Sequence, residues 1–373
     1  MKKIVDFPQY RKAQERHARL TKRDRRLARG LKAVKQVSNS RYQISRFTKK
    51  KSIRSKGGLV THYIDAPSNL RLFSKMEDTL VFIRELRALG NRIVGNPQHR
   101  IQINLQRVKE INYATISILK AVLYDFTTRD IAIVGDLPSN EICSAYLKEC
   151  GYLDGLIDMR GRKFPPSQQS AHIFFESGRG RLTRDENLKI SNLLEDAMEF
   201  MGGNIQHELK LKTLLLEGCA NSIEWGQTQG RQWMLGMKKE ERDGVREVLF
   251  TITDVGKGIL ETLRRKFTDQ ILNLVKFQTE HEVLKLAFER KWGSRSGEVN
   301  RNNGLPTFRK AVELGMIDDL KVLANNVILG FGDNEKAETF GRGFPRYSGT
   351  IFQWRVSANC LKQMVEIKDY AYD

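Results

Sequence analysis

The sequence predicts an α/β protein in which a small α/β domain precedes a second, α+β domain, with a basic arm ahead of both. Three observations lead to this fold class. Strand-like and helix-like segments alternate over residues 58–163, apolar helices and a strand hairpin follow over residues 171–360, and Lys and Arg crowd residues 1–57. A length of 373 residues suits two domains that each bury a core.

The basic arm, residues 1–57, holds 20 Lys and Arg against three acidic residues and so carries +17 of the net charge of +20. So dense a charge neutralises phosphates, and we expect the arm to bind a nucleic-acid backbone, DNA or RNA, in a salt-dependent way. A solvated tail and a membrane-surface anchor are the alternatives. The expected contact residues are Arg11, Lys12, Arg16, Arg19, Lys22, Arg23, Arg25, Arg26, Arg29, Lys49, Lys50 and Lys51. We expect a hinge at Gly57-Gly58.

In the small domain, residues 58–163, short apolar strands alternate with amphipathic helices. The predicted strands are Leu59–Ile64, Arg100–Leu105 and Ile131–Val134, and the predicted helices are Met76–Leu89, Ala114–Phe126 and 138–150. Pro165-Pro166 then indicates a linker.

The second domain, residues 171–360, opens with two helices that glycines end, at 190–201 and Leu209–Trp225. Strands at Arg231–Lys238 and Val245–Asp254 flank Asp243-Gly244, a hairpin turn pair. Further helices are predicted within 257–315, and strands near 320–330 and 349–357.

Four short motifs in this domain carry polar residues at element ends. Glu217 and Asn221 are spaced i, i+4 and so share one helix face, where a carboxylate beside an amide oxygen suits a hard cation and a water to be deprotonated. Asp254-x-Gly256-x-Gly258 follows a strand; an Asp there can accept a hydrogen bond from a base amino group, and the glycines let the backbone pass close to a ligand.

The third motif, Asn303-Gly304, opens a helix whose free N–H groups favour an anion. Between it and the second motif, residues 259–303 are rich in Lys and Arg and long enough for a lid that bound ATP and Mg²⁺ would order. The fourth motif, Gly349-Thr350, leads into a late strand.

In this order, the four motifs resemble those of the GHKL (Bergerat-fold) ATPases, which include histidine kinases and the anti-sigma-factor serine kinases. The resemblance implies an α+β two-layer sandwich that binds ATP and Mg²⁺. It implies Asn221 as the Mg²⁺ ligand, Glu217 as the general base and Asp254 as the adenine contact. It also implies that Thr350 supports the adenine through its hydroxyl or through a water. The second glycine box is Asn-Asn-Gly rather than Gly-x-Gly, so nucleotide binding is expected with slow turnover.

The small domain resembles the STAS fold of anti-sigma-factor antagonists in Ile101–Leu105, Val108-x-x-Ile111, Ile131–Gly135 and Cys150-Gly151-Tyr152-Leu153. The loop where such antagonists carry a phosphorylatable serine holds Asn112-Tyr113-Ala114-Thr115 here, so we expect a structural or partner-docking module.

These features lead us to expect a bacterial, cytoplasmic ATP-dependent switch whose arm engages nucleic acid, with a protein partner or a second copy of itself. Two alternatives stay open: a protein serine/threonine kinase acting on a partner STAS protein, and a non-catalytic scaffold subunit of a nucleoprotein or phage-defence complex. Four cysteines without a C-x-x-C pair fit a reducing compartment, and no apolar run reaches the length of a membrane span.

Overall fold

The computed structural model describes residues 50–158, 160–167, 170–180, 182–203, 208–226, 232–266, 279–289, 304–332, 335–341 and 343–366. All of these belong to one compact unit, residues 47–373. They form a mixed α/β fold, as predicted, with helices packed against two main sheets. Among these residues, no helix is long and apolar enough to cross a membrane.

The helices are α1 (Met76–Ile93), α2 (Tyr113–Thr127), α3 (Glu141–Glu149), α4 (Arg184–Met201), α5 (Glu208–Gly226), α6 (Ile259–Lys266), α7 (Glu280–Phe288), α8 (Gly304–Glu313) and α9 (Ala358–Glu366). The strands are β1 (Lys50–Arg54), β2 (Val60–Asp65), β3 (Asn69–Leu70), β4 (His99–Asn104), β5 (Glu110–Ile111), β6 (Ala132–Gly135), β7 (Ile173–Arg179), β8 (Gln232–Arg242), β9 (Val245–Asp254), β10 (Asp318–Asn325), β11 (Val327–Phe331), β12 (Lys336–Thr339) and β13 (Tyr347–Ser357).

Within this single unit we call residues 50–158 the first domain; this part contains a four-stranded sheet in the order β1-β2-β4-β6. Strands β2, β4 and β6 are parallel and are joined through α1 and α2, as the alternation of strands and helices predicted. Ile64 pairs with Ile103 and Ile101 with Ile133 across this sheet, and all four side chains are buried. A small parallel pair, β3 with β5, lies beside it.

Strand β1 corrects the predicted end of the arm. Residues 50–54, predicted as arm, pair antiparallel with β2, so Lys50 and Lys51 belong to the folded sheet. The glycines predicted as a hinge form the turn between the two strands, where Gly58 has φ +84° and its N–H donates to the Ser55 carbonyl oxygen at 3.0 Å. A chain of hydrogen bonds from Ser52 Oγ to His62 Nδ1 (2.8 Å), and from His62 Nε2 to His99 Nδ1 (2.9 Å), ties β1 to the sheet.

The rest of the unit, which we call the second domain, is built on a seven-stranded antiparallel sheet in the order β12-β11-β10-β13-β9-β8-β7. The predicted hairpin joins β8 to β9, and Asp243 and Gly244 both have positive φ, as a two-residue turn between twisted strands requires. The edge strand β7 was not predicted, because its second half, Glu176–Arg179, lacks apolar residues.

In the central strands β9 and β13 both faces of this sheet are buried, and the residues of the two faces alternate along each strand. On the helix face, Val248, Phe250 and Ile252 of β9 pack with α4, α5, α7 and α8. On the opposite face, which we call the first-domain face, Leu249 of β9 and Ile351 of β13 join a core shared with α1 and α2. Helices α1 and α2 therefore contact both sheets.

Candidate functional site

Two of the predicted motifs meet at the end of β9. Asp254, its last residue, pairs with Thr350 of β13, and both residues are only 2% exposed. The N–H of Gly256 donates to Oδ1 of Asp254 at 2.8 Å, and Thr350 Oγ1 accepts from the N–H of Ile259 at 3.3 Å. One carboxylate and one hydroxyl thus hold the turn that leads into α6.

The glycines of these motifs let backbone segments approach one another. Gly258 has φ +79°, and a Cβ there would collide with the carbonyl oxygen of Gly349 and with Asn325. A Cβ on Gly349, whose φ is +146°, would collide with the carbonyl oxygen of Asp254. The motifs at 254–258 and 349–350 therefore form one close-packed cluster, although about 90 residues separate them in the sequence.

The electrostatics of this cluster centre on Asp254. Burial raises the pKa of its carboxyl from 3.8 to about 6. Hydrogen bonds from Gly256 and Thr350 and the positive charge of Arg87 act in the opposite direction and limit the rise in that pKa. Near neutral pH the group is a largely ionised, buried acceptor.

The other two motifs meet on α5 and α8. Helix α5 buries Leu211, Leu214, Leu215 and Cys219, a spacing that turns Glu217 and Asn221 to a less buried side. Burial still raises the pKa of the Glu217 carboxyl above its usual value. A Cβ on Gly304, the first residue of α8, would collide with the side-chain amide of Asn221. The amide therefore lies directly against the helix start that the sequence predicted as an anion site.

Gly218 links the two halves of the candidate site. It lies between Glu217 and Asn221 on α5, and a Cβ there would meet Ile252 of β9 and Phe308 of α8. Ile252 is two residues before Asp254, so α5 crosses the strand that ends in the buried carboxylate. Helix α5 and the end of β9 thus form contiguous parts of one region.

The donor set of this region suits a nucleotide with a magnesium ion. Asp254 and Thr350 offer acceptors for a base amino group, and Asn221 with Glu217 offers two oxygen ligands beside a helix N-terminus. Among the described residues, no group of three or more His, Cys, Asp or Glu side chains could hold a metal ion. Mg²⁺ is often bound through one or two side chains together with substrate phosphates.

Several predicted residues lie outside the described part of the chain: Asn303, most of the predicted lid, and the arm residues Arg11, Lys12, Arg16, Arg19, Lys22, Arg23, Arg25, Arg26, Arg29 and Lys49. Two of the expected contact residues, Lys50 and Lys51, lie on β1: Lys50 begins that strand, and Lys51 is exposed and lies opposite Tyr63.

The sequence interpretation missed two residues of this region. Asn325, at φ 57°, donates from Nδ2 to the Lys257 carbonyl oxygen at 2.7 Å and accepts from the Glu261 N–H at 3.3 Å. The Asn325-Asn326 pair between two apolar strands is a turn signature that could have indicated it. Arg87 of α1 is the other, and no motif marks it.

No protein-family model matches this chain, and neither the curated proteins nor the solved structures contain a match to it.

Proposed function

We propose that the chain is an ATP-binding, slowly hydrolysing switch protein of the GHKL type, whose basic arm engages nucleic acid. One observation carries this proposal: motifs spread over residues 217–350 meet pairwise, Asp254 with Thr350 and Asn221 with Gly304, and α5 links the two pairs. The antiparallel sheet with helices on one face supports a Bergerat-type second domain. Three parallel strands joined through helices support a STAS-like first domain.

Each site residue has a role that follows from its chemistry. Asp254 accepts a hydrogen bond from the adenine amino group, and Thr350 holds that carboxylate in place. Asn221 holds Mg²⁺, which neutralises charge on the phosphates. Glu217 takes a proton from the attacking water; its raised pKa keeps the carboxylate basic enough for that task.

We also propose a cytoplasmic location. The four cysteines, Cys143, Cys150, Cys219 and Cys360, are all free and buried, as suits a reducing compartment.

Nucleotide selectivity tests the site. Calorimetric titration with Mg·ATP should give saturable binding, and Mg·GTP should bind at least about tenfold more weakly, because guanine presents a carbonyl oxygen where adenine presents its amino group. In Asp254→Asn the side-chain NH₂ group faces Gly256 and Thr350, which donate hydrogen bonds to the wild-type carboxylate. This variant should lose the preference for ATP over GTP. Equal binding of both nucleotides by the wild-type protein would contradict the assigned role of Asp254.

The fate of the γ-phosphate tests the type of activity. With labelled ATP, we expect slow release of inorganic phosphate. Transfer of the label to a protein would favour the kinase interpretation instead.

Deletion of residues 1–49 tests the arm. This deletion removes 16 of the 20 arm Lys and Arg but leaves β1 intact. The full chain should retain nucleic acid at low salt, release it steeply as salt rises, and lose it in the deletion variant. The control is deletion of residues 1–57, which should also lower the melting temperature because β1 is lost. If the chain that lacks residues 1–49 binds nucleic acid as well as the full chain does, the assignment of nucleic-acid binding to the arm is overturned.

A further inference from the structure

Arg87 of α1 bridges the two segments that hold the buried carboxylate. Its Nη1 donates to the carbonyl oxygen of Ser348, two residues before Thr350. Its Nη2 donates to the carbonyl oxygen of Val255, the residue after Asp254. One side chain of the first domain thus spans the end of β9 and the start of β13.

The chemistry of Arg87 suits it to fix that distance. A guanidinium is planar and presents its N–H groups as a rigid fork, so two simultaneous hydrogen bonds set the separation of the two carbonyls. The Arg87 side chain is half-buried; partial burial lowers the pKa of its guanidinium, and Tyr347, Asp125 and Asp254 act in the opposite direction. The two carbonyl oxygens give this partly desolvated cation hydrogen-bond partners.

A second contact holds the same strand from the same side. The hydroxyl of Ser117 on α2 is hydrogen-bonded to Thr251 at 3.0 Å and to Thr253 at 2.9 Å. All three hydroxyl-bearing residues are fully buried. Thr253 directly precedes Asp254, and Val255 directly follows it. The first domain therefore makes hydrogen bonds to this segment on both sides of the carboxylate, from Ser117 and from Arg87. Tyr113 adds a hydrogen bond to the Phe174 carbonyl oxygen of β7 at 3.0 Å.

We propose that Arg87 is a positioning residue for the nucleotide site, and that through it the occupancy of the site is coupled to helix α1 of the first domain. This inference rests on the proposed binding of an adenine nucleotide at Asp254. A base seated on the Asp254–Thr350 pair fixes the two segments that Arg87 joins, and fixing Arg87 in turn restrains α1. Coupling of this kind is reciprocal, so loss of the bridge must also weaken nucleotide binding.

The test uses three variants of the full chain. Arg87→Ala removes the bridge, and Arg87→Lys keeps a cation that can still donate to carbonyls. The matched control is Arg84→Ala: Arg84 lies one turn earlier on α1, where it is exposed and pairs with Glu85. For each protein, the affinity for Mg·ATP is measured by calorimetry, and amide hydrogen exchange is measured with and without Mg·ATP.

In the wild-type protein and in Arg84→Ala, Mg·ATP should slow amide exchange both in α5 and in α1. In Arg87→Ala, affinity should fall about tenfold, and the nucleotide should still slow exchange in α5 but no longer in α1. Arg87→Lys should restore part of both effects. A purely structural role would lower the melting temperature without separating the response of α1 from that of α5.

The outcomes separate the inference from the function beneath it. If the wild-type protein does not bind Mg·ATP, the proposed function fails and this inference fails with it. If the wild-type protein binds Mg·ATP and Arg87→Ala binds it equally, with α1 still responding, only the inference is overturned. If Arg87→Ala does not fold, the result for Arg87→Lys decides. Wild-type values of both the Mg·ATP affinity and the slowing of amide exchange in α1 would overturn the inference. Values of both between those of wild type and a complete loss would support it.

Discussion

The two faces of the seven-stranded sheet are packed in different ways. On the helix face the core is aromatic: Phe250 stacks on Trp354 at 5.5 Å, and Phe308 stacks on Phe352 at 5.0 Å between ring centroids. On the first-domain face a buried trio of hydroxyls, Ser117 with Thr251 and Thr253, lies among apolar residues.

The difference teaches how the two domains are joined. Apolar packing tolerates small shifts, whereas buried hydrogen bonds are satisfied in one arrangement only. The helix face carries the residues with proposed chemistry, and hydrogen bonds from the first-domain face hold the strand that ends at Asp254.

The largest expected effect concerns chemistry on the helix face alone. Glu217→Gln should lower ATP hydrolysis about a thousandfold while binding is unchanged, because the amide cannot accept the proton of the attacking water. Wild-type hydrolysis should also decline as the pH falls through the raised pKa of Glu217, since only the ionised form is a base. Steady-state phosphate release measures both. Exposed Glu195 of α4 gives the control, Glu195→Gln, and hydrolysis by Glu217→Gln at the wild-type rate would break the assignment.

The next effect arises at Asp254, the last residue of β9. Its folded-state pKa of about 6 lies above the ordinary 3.8, so the folded state favours the proton, and ionisation costs stability that is fully lost above about pH 6 and regained below about pH 4. Asp254→Asn stays neutral, so the stability of the wild-type protein relative to this variant should fall by up to about 3 kcal/mol as the pH rises from about 4 to 7.5. Urea unfolding of both proteins at several pH values measures this change.

Asp243→Asn, at an exposed turn residue, is the control for the urea measurements. If the stability difference between wild type and Asp254→Asn does not change between about pH 4 and pH 7.5, then burial of the Asp254 charge carries no cost.

A smaller effect is expected at the contact between α5 and α8. Asn221→Ala removes the expected Mg²⁺ ligand, and Gly304→Ala pushes the Asn221 amide aside. Both variants should weaken Mg·ATP binding about tenfold and leave Mg-free ATP binding little changed. Gly341→Ala is the control, because a Cβ there meets no atom within 4 Å. If ATP binding depends on magnesium in the same way in all three variants, Asn221 is not a ligand of the metal ion.

The smallest effect tests the first-domain face. Ser117→Ala leaves the hydroxyls of Thr251 and Thr253 buried without their partner, which should lower the free energy of unfolding by about 1 kcal/mol. Exposed Ser139 provides the control, Ser139→Ala. Urea unfolding measures both, and no change in Ser117→Ala would show that the trio does not fix the interface.

The sequence predicted what local patterns encode. Helix α5 and the hairpin at Asp243-Gly244 follow from residue spacing and turn chemistry within about twenty positions. The placement of Glu217 and Asn221 on one side of α5 is also a local feature, because residues spaced i, i+4 share one face of a helix.

What the sequence did not predict depends on distant partners. Arg87 reaches carbonyl oxygens 168 and 261 positions away, and nothing around it in the sequence distinguishes it from a solvated arginine. The hinge expected at Gly57-Gly58 is a hairpin turn because β2 pairs with β1, and Lys-rich β1 carries no apolar alternation that would predict a strand.

The most direct test is a crystal structure of the full chain with Mg²⁺ and a non-hydrolysable ATP analogue. The adenine amino group should lie within hydrogen-bonding distance of the Asp254 carboxylate, with the metal ion at Asn221 and Arg87 still bridging Val255 and Ser348. A nucleotide bound elsewhere, or no bound nucleotide at saturating analogue, would contradict the proposed site.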